Sequence, residues 1–249
     1  MVTLLTSIKR GTTAMTMALC LVFTSLPAKA LQQAQFEHVL SQLQSEQFEP
    51  VAVFLKEHSE LAKTDPDYTV LMLNHAFLAN QKSQLVVDKA AVIDVIRQAQ
   101  GNLQSFPEYL DIQLGIAAVA SRMGEWHIAT EQLINLLKVS REIDNNWRWG
   151  KVGGMADDTP EEFMIQSVLP YSSKLFRLET PETDQMLVRL SEALIQYYPR
   201  KVYGYANLGS FYAVTGKKDK AREYYEKALE INPNDEVVRA NLKRLGEGY

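Results

Sequence analysis

Residues 203–233 read YGYANLGSFYAVTGKKDKAREYYEKALEINP, and the fold is decided by how this stretch is read. It divides at Gly216 into two helical runs. Gly209, Ala221 and Ala228 are small where two antiparallel helices would approach, while Tyr205, Leu208, Tyr212 and Tyr225 fill the space around them. Gly216 can take the left-handed conformation that ends a first helix, and Pro233 stops a second.

The order of these residues carries a resemblance. Tyr205-Ala206-Asn207-Leu208-Gly209-Ser210-Phe211-Tyr212, followed by Gly216, Ala221, Tyr225, Ala228 and Pro233, resembles the tetratricopeptide (TPR) pattern W-x2-L-G-x2-Y…A-x3-F…A…P, with Tyr205 in place of Trp and Tyr225 in place of Phe. This repeat covers residues 202–235. A second, weaker copy spans residues 110–143: Gly124 and Ala129 repeat the step from Gly216 to Ala221, Ile116 and Ala117 match Leu208 and Gly209, and Leu133 and Leu136 stand where Tyr225 and Ala228 stand.

Outside these repeats the chain still reads as helix. Phe36, Val39, Leu40 and Leu43 recur at helical spacing, as do Val51, Phe54, Leu55 and Leu61 after an expected break at Phe48-Glu49-Pro50. Asp65-Pro66 has the form of an N-cap with proline at the first helical position and opens a helix over Asp67–Leu78, followed by a longer one over Leu85–Leu103. Thr159-Pro160-Glu161-Glu162 and Thr180-Pro181 mark two further helix starts. Residues 236–246 continue beyond Pro233 as the polar end-cap that stacked repeats need. The sum is an all-α chain of about five antiparallel helix pairs plus a C-terminal capping helix. The TPR resemblance implies that these pairs stack into a right-handed superhelical solenoid whose inner face is lined by the first helix of each pair.

The N-terminus reads differently. Lys9 and Arg10, the apolar run Ala14–Phe23 and the A-x-A site Ala28-Lys29-Ala30 together form the pattern of a secretory signal peptide over residues 1–30, with cleavage expected after Ala30. The apolar run is far shorter than the roughly 20 residues of a membrane span, so no stable membrane anchor is expected after cleavage. The remaining domain, residues 31–249, is then expected to be periplasmic or secreted, from a bacterium. Cys20, the one cysteine, leaves with the leader, so the mature domain has no disulfide, thiolate metal site or cysteine nucleophile. The net charge of −4 falls by a further three with Lys9, Arg10 and Lys29, a balance that gives no electrostatic reason to bind nucleic acid.

No catalytic motif is found: there is no G-x-S-x-G, P-loop, G-x-G-x-x-G, H-E-x-x-H or EF-hand loop. His38, His58, His75 and His127 fall on separate predicted helices without a matching carboxylate, so neither a metal nor a cofactor is expected. The cluster Lys217, Lys218, Lys220 and Arg222 interleaves with Glu223, Glu226 and Glu230 as a solvated face.

TPR domains generally hold a segment of a partner protein in their concave groove. Carried onto this sequence, the groove positions are Tyr203, Ala206, Asn207, Ser210 and Ala213, joined by Arg239 and Asn241 from the capping helix. Asn207 matches one member of the clamp by which chaperone-binding TPRs hold a C-terminal carboxylate, but Ala206 and Ser210 do not, so no such clamp is expected. The function expected is that of a scaffold binding another protein or peptide. The alternative is a cell-envelope enzyme or glycan-binding protein using Trp147 and Trp149, beside Asp144, Asp157 and Asp158, in the long connection 144–159.

Overall fold

In the computed structural model, residues 30–82, 88–107, 109–142 and 160–247 are described. They form eleven α-helices: α1 (Gln33–Gln44), α2 (Phe48–Glu57), α3 (Pro66–Lys82), α4 (Lys89–Ser105), α5 (Leu110–Met123), α6 (Trp126–Glu142), α7 (Pro160–Leu178), α8 (Pro181–Tyr197), α9 (Tyr203–Val214), α10 (Lys218–Ile231) and α11 (Glu236–Glu247). One 3-10 turn, Ser59–Lys63, lies between α2 and α3. Among the described residues there is no strand, and the chain is an all-α, TPR-like solenoid.

Successive helices pair as hairpins, α1 with α2 through α9 with α10, and each second helix also packs on the first helix of the next pair. First helices line up with one another as well: α1 on α3, α3 on α5, α7 on α9 and α9 on α11. The order changes once. Between the third and fourth hairpins it is α6 that packs along α8, and α5 and α7 do not pack backbone to backbone as neighbouring first helices do elsewhere. This change falls where residues 143–159 enter the chain. Trp147, Trp149 and the carboxylates expected beside them lie outside the described residues, as do residues 1–29, where a leader is expected, and the expected cap at Thr159.

The two hairpins matched by sequence are built alike. Gly124 at φ 75° and Gly216 at φ 76° both end a first helix in the left-handed region, which glycine enters without a Cβ clash. Ile116, Ala117, Leu133 and Leu136 are buried in one pair, and Leu208, Tyr225 and Ala228 in the other. The close approach at Gly209 is tight enough that a Cβ there would lie 2.5 Å from Cδ1 of Tyr225.

Several expected boundaries move. The first break is not at Phe48-Glu49-Pro50: α2 starts at Phe48 and the turn is Ser45–Gln47, with Glu46 at φ 60°. Pro50 is tolerated in the first turn because the amides there have no intrahelical acceptor to lose. Leu61 belongs to the 3-10 turn rather than to α2. α3 runs on to Lys82 past Leu78, and α4 starts at Lys89 rather than Leu85, because the carboxylate of Asp88 accepts from Ala90 N at 3.0 Å and Ala91 N at 3.3 Å. The start at Thr180 closes its capping box with Thr183, a hydroxyl taking the place of the usual carboxylate. Asp65 caps α3 as expected, accepting from Tyr68 N at 2.9 Å.

Candidate functional site

Two cavities open beside α7, one towards α5 and one towards α9. The α7–α9 cavity, about 260 Å³, is lined by Ser172, Ser173, Phe176, Arg177, Asn207 and Ser210, with Leu187 of α8 at its base. The α5–α7 cavity, about 310 Å³, has an apolar floor of Phe77, Leu114, Ala117 and Leu133 and a polar edge that includes Arg122 and Lys174. On α7 the residues facing α5 recur as Ser167, Pro170, Tyr171 and Lys174, and those facing α9 as Ser172, Ser173, Phe176 and Arg177. These are two helical stripes on opposite edges of the buried face.

Asn207 and Ser210, both expected to line the groove, meet in the α7–α9 cavity. Ser210 Oγ accepts from the Tyr225 hydroxyl at 3.2 Å, so its own O–H is left to point elsewhere. The Nδ2 of Asn207 is covered and has no acceptor. A covered donor without a partner costs about 1–3 kcal/mol, a cost that an incoming acceptor would relieve. Ser172 turns its hydroxyl back onto Val168 O at 3.2 Å. Ser173 and Arg177 make no such bond among the described residues, and the lining contains no carboxylate. With the Asn207 amide and the Arg177 guanidinium as donors and no carboxylate to compete for them, the cavity suits a carbonyl or carboxylate oxygen.

Tyr203 packs its ring against the main core. Arg239 and Asn241 do not reach either cavity: Arg239 donates to Asn234 Oδ1 at 2.9 Å, and Asn241 Oδ1 accepts from Arg244 at 3.1 Å. Within the described residues α11 contributes helix-surface bonds at these two positions rather than a lining.

The α5–α7 cavity was not singled out from sequence, although a signal for it existed. Counted from the Ala117–Gly209 match, Leu114, Ala118 and Ser121 stand at the positions of Ala206, Ser210 and Ala213, which the repeat match puts in the groove, and the Ala118/Ser210 position lines both cavities. Leu133 also stands where Tyr225 fills the last hairpin, and the smaller side chain leaves room. Lys174 bridges the gap from α7 to α5: its Nζ donates to Ser121 O and Oγ, both at 2.9 Å, and sits 4.8 Å from the centre of the Trp126 ring. No carboxylate among the described residues pairs with it. Burial, helped by the nearby Arg122 charge, lowers its pKa. The Tyr171 hydroxyl donates to Trp126 O at 2.9 Å and lies 3.0 Å from Thr130 Oγ1. Burial pushes this phenol up to about 12, the Thr130 bond pulling it down and the Glu182 charge adding to the rise. Pro170, inside α7, brings no N–H for the carbonyl of residue 166, one turn earlier.

The remaining candidates have local partners. His58 donates from Nδ1 to Phe54 O at 3.0 Å and stacks on the Phe54 ring, while His75 donates from Nε2 to Phe48 O at 3.2 Å. Burial lowers the His75 pKa, against smaller upward pulls from the Phe48 carbonyl and the Glu49 charge. Among the described residues no three metal-binding side chains converge. In the basic cluster, Lys217 and Lys220 lie over the Tyr212 ring at 5.7 and 5.2 Å.

In comparison with known proteins, no curated protein matches the chain. Residues 202–235, which contain α9, α10 and the Asn207 and Ser210 side of the cavity, match the tetratricopeptide repeat family, and the chain therefore carries a TPR repeat at that place.

Proposed function

We propose that the protein is an exported scaffold, periplasmic or secreted, that binds an extended segment of another protein across α7, on the face lined by the first helices. TPR repeats generally mediate contacts between proteins. The observation that carries the reading is the covered Nδ2 of Asn207, a donor without an acceptor in a cavity that Arg177 also lines and no carboxylate does. Export is supported by the leader pattern in residues 1–30. No helix among the described residues is long and apolar enough to cross a membrane.

The chemistry of the two cavities describes the segment. The apolar floor between α5 and α7 takes a leucine- or phenylalanine-sized side chain, and the donors between α7 and α9 take a carboxylate or main-chain carbonyl. Lys174, Arg122 and Arg177 line the path, and no acidic residue lines either cavity, although acidic residues outnumber basic ones in the chain as a whole. A helix is about 10 Å across, which an extended chain covers in about three residues at roughly 3.3 Å each. The preferred ligand is therefore an apolar residue with Asp or Glu about three positions away. The test is fluorescence polarisation with short peptides carrying Leu and Glu at that spacing in both orders, compared with peptides in which Lys replaces Glu. Binding is expected to fall at least about tenfold with the Lys peptides, corresponding to about 1.4 kcal/mol, and again with Asn207→Ala, whose thermal stability should not drop because no bond from Nδ2 is lost. Equal binding of Glu and Lys peptides would overturn the reading.

A further inference from the structure

We infer that Leu31 is the first residue of the working protein and that its free α-amino group is seated on the buried carboxylate of Asp65. This rests on the export reading above but comes from a separate observation. The main-chain nitrogen of Leu31 donates to Asp65 Oδ2 at 2.7 Å. That length is usual, at about 2.7–2.9 Å, for an N–H on an ionised carboxylate, and it places the nitrogen where an ammonium would also sit. Asp65 is only 4% exposed. Its other oxygen is used on Tyr68 N at the start of α3, and no cation among the described residues pairs with it. A buried carboxylate with no positive partner is costly, and the group placed to supply one is the nitrogen of residue 31.

The surrounding packing marks the same boundary. The side chain of Leu31 is buried in the main core, while Ala30 is exposed. The packing thus starts at Leu31: on the leader side of the Ala30–Leu31 bond the described residue, Ala30, is exposed. That bond is also the one the Ala28-Lys29-Ala30 pattern selects for leader removal. In the cut, a peptidase adds water across the Ala30–Leu31 bond: hydroxide goes to the Ala30 carbonyl carbon, which leaves as a carboxylate on the leader, and the Leu31 nitrogen keeps the pair and gains protons. An amide with one N–H thus becomes an ammonium with three, since α-amino groups titrate near about 7.7–8.0. Processing turns an amide–carboxylate bond into a charge pair that ties the start of α1 to the start of α3. Asp65 is held ready for it, its main-chain oxygen accepting from Asn102 Nδ2 at 3.2 Å and from Thr69 Oγ1 at 3.3 Å.

The experiment begins with the full-length gene expressed in its own host, followed by N-terminal sequencing of the recovered protein. Leu31 is the expected first residue. The rate at which acetic anhydride modifies the α-amino group near neutral pH is then compared with that of a Leu-initiated peptide, and is expected to be at least about tenfold slower in the protein. Acetylation should lower Tm by several degrees in the wild type and by clearly less in Asp65→Asn, whose amide oxygen still caps Tyr68 N. A first residue other than Leu31 overturns both this inference and the predicted cleavage site. Leu31 first, but with an amine as reactive as the peptide's, overturns the seating on Asp65 and leaves export standing. The labelling arm needs no variant, so an Asp65→Asn chain that fails to fold does not remove the test.

Discussion

A methyl group added at residue 209 measures how closely α9 and α10 approach. A Cβ there would fall 2.5 Å from Cδ1 and 2.6 Å from Cε1 of Tyr225, about 1 Å inside ordinary carbon–carbon contact. Tyr225 has little room to retreat: it is 1% exposed, packs in a cluster with Ala213, Ala221, Ala228, Val238 and Leu245, and donates its hydroxyl to Ser210. Overpacking of this kind costs about 1–3 kcal/mol, and displacing the ring would add about 1 kcal/mol for the hydrogen bond. Against this, alanine in a helix interior is favoured over glycine by about 1 kcal/mol. The net expectation for Gly209→Ala is a loss of about 1–3 kcal/mol, read as about 2–4 °C in Tm for each kcal/mol in a chain of this size. Gly101→Ala is the matched control. It lies inside α4, and beyond the backbone of that helix and the adjoining residues nothing comes within 4 Å of the new Cβ, so only the helix preference acts and stability should rise by about 0.5–1 kcal/mol. Thermal or urea unfolding of both variants decides the matter. If Gly209→Ala is as stable as Gly101→Ala, the tight approach of α9 to α10 is not what holds this hairpin.

Two further substitutions follow the same reasoning. Tyr171→Phe keeps the ring but leaves Trp126 O and the fully buried Thr130 hydroxyl without their partner, at an expected cost of about 1–3 kcal/mol in urea unfolding. Because the phenol is raised from 10.0 to about 12, its contribution is complete below pH 10 and lost as pH rises towards 12, so the wild type and Tyr171→Phe should converge in strong alkali. His75 has the opposite sense: its folded pKa lies below the usual 6.5, so its contribution is complete above that value and lost as pH falls through the folded one. His75→Gln retains a donor for Phe48 O and should lessen the fall in stability between about pH 7 and pH 5; an unchanged slope would exclude His75 as a source of acid sensitivity.

The sequence by itself determined the helical class, the hairpin order and the interior of the last repeat, because these depend on local rules. Small residues at Gly209, Ala221 and Ala228, glycine where φ turns positive at Gly216, and proline after a capping side chain at Pro66 and Pro181 each act within a turn or two of chain. Helix ends were less legible at Glu46 and Asp88, where one residue in the left-handed region or one carboxylate accepting two amides sets the boundary without a strong pattern around it. Of the expected groove residues, Asn207 and Ser210 were readable because they sit one turn apart on a matched repeat, whereas Arg239 and Asn241 found partners on their own helix that repeat spacing does not reveal. Only the tertiary structure decided that α6 packs along α8 and that α5 and α7 are held apart with Lys174 across the gap. It also decided that the nitrogen of Leu31 reaches a carboxylate thirty-four residues away. These pairings depend on how one hairpin settles on another, and the short-range periodicity of the chain carries no record of that angle.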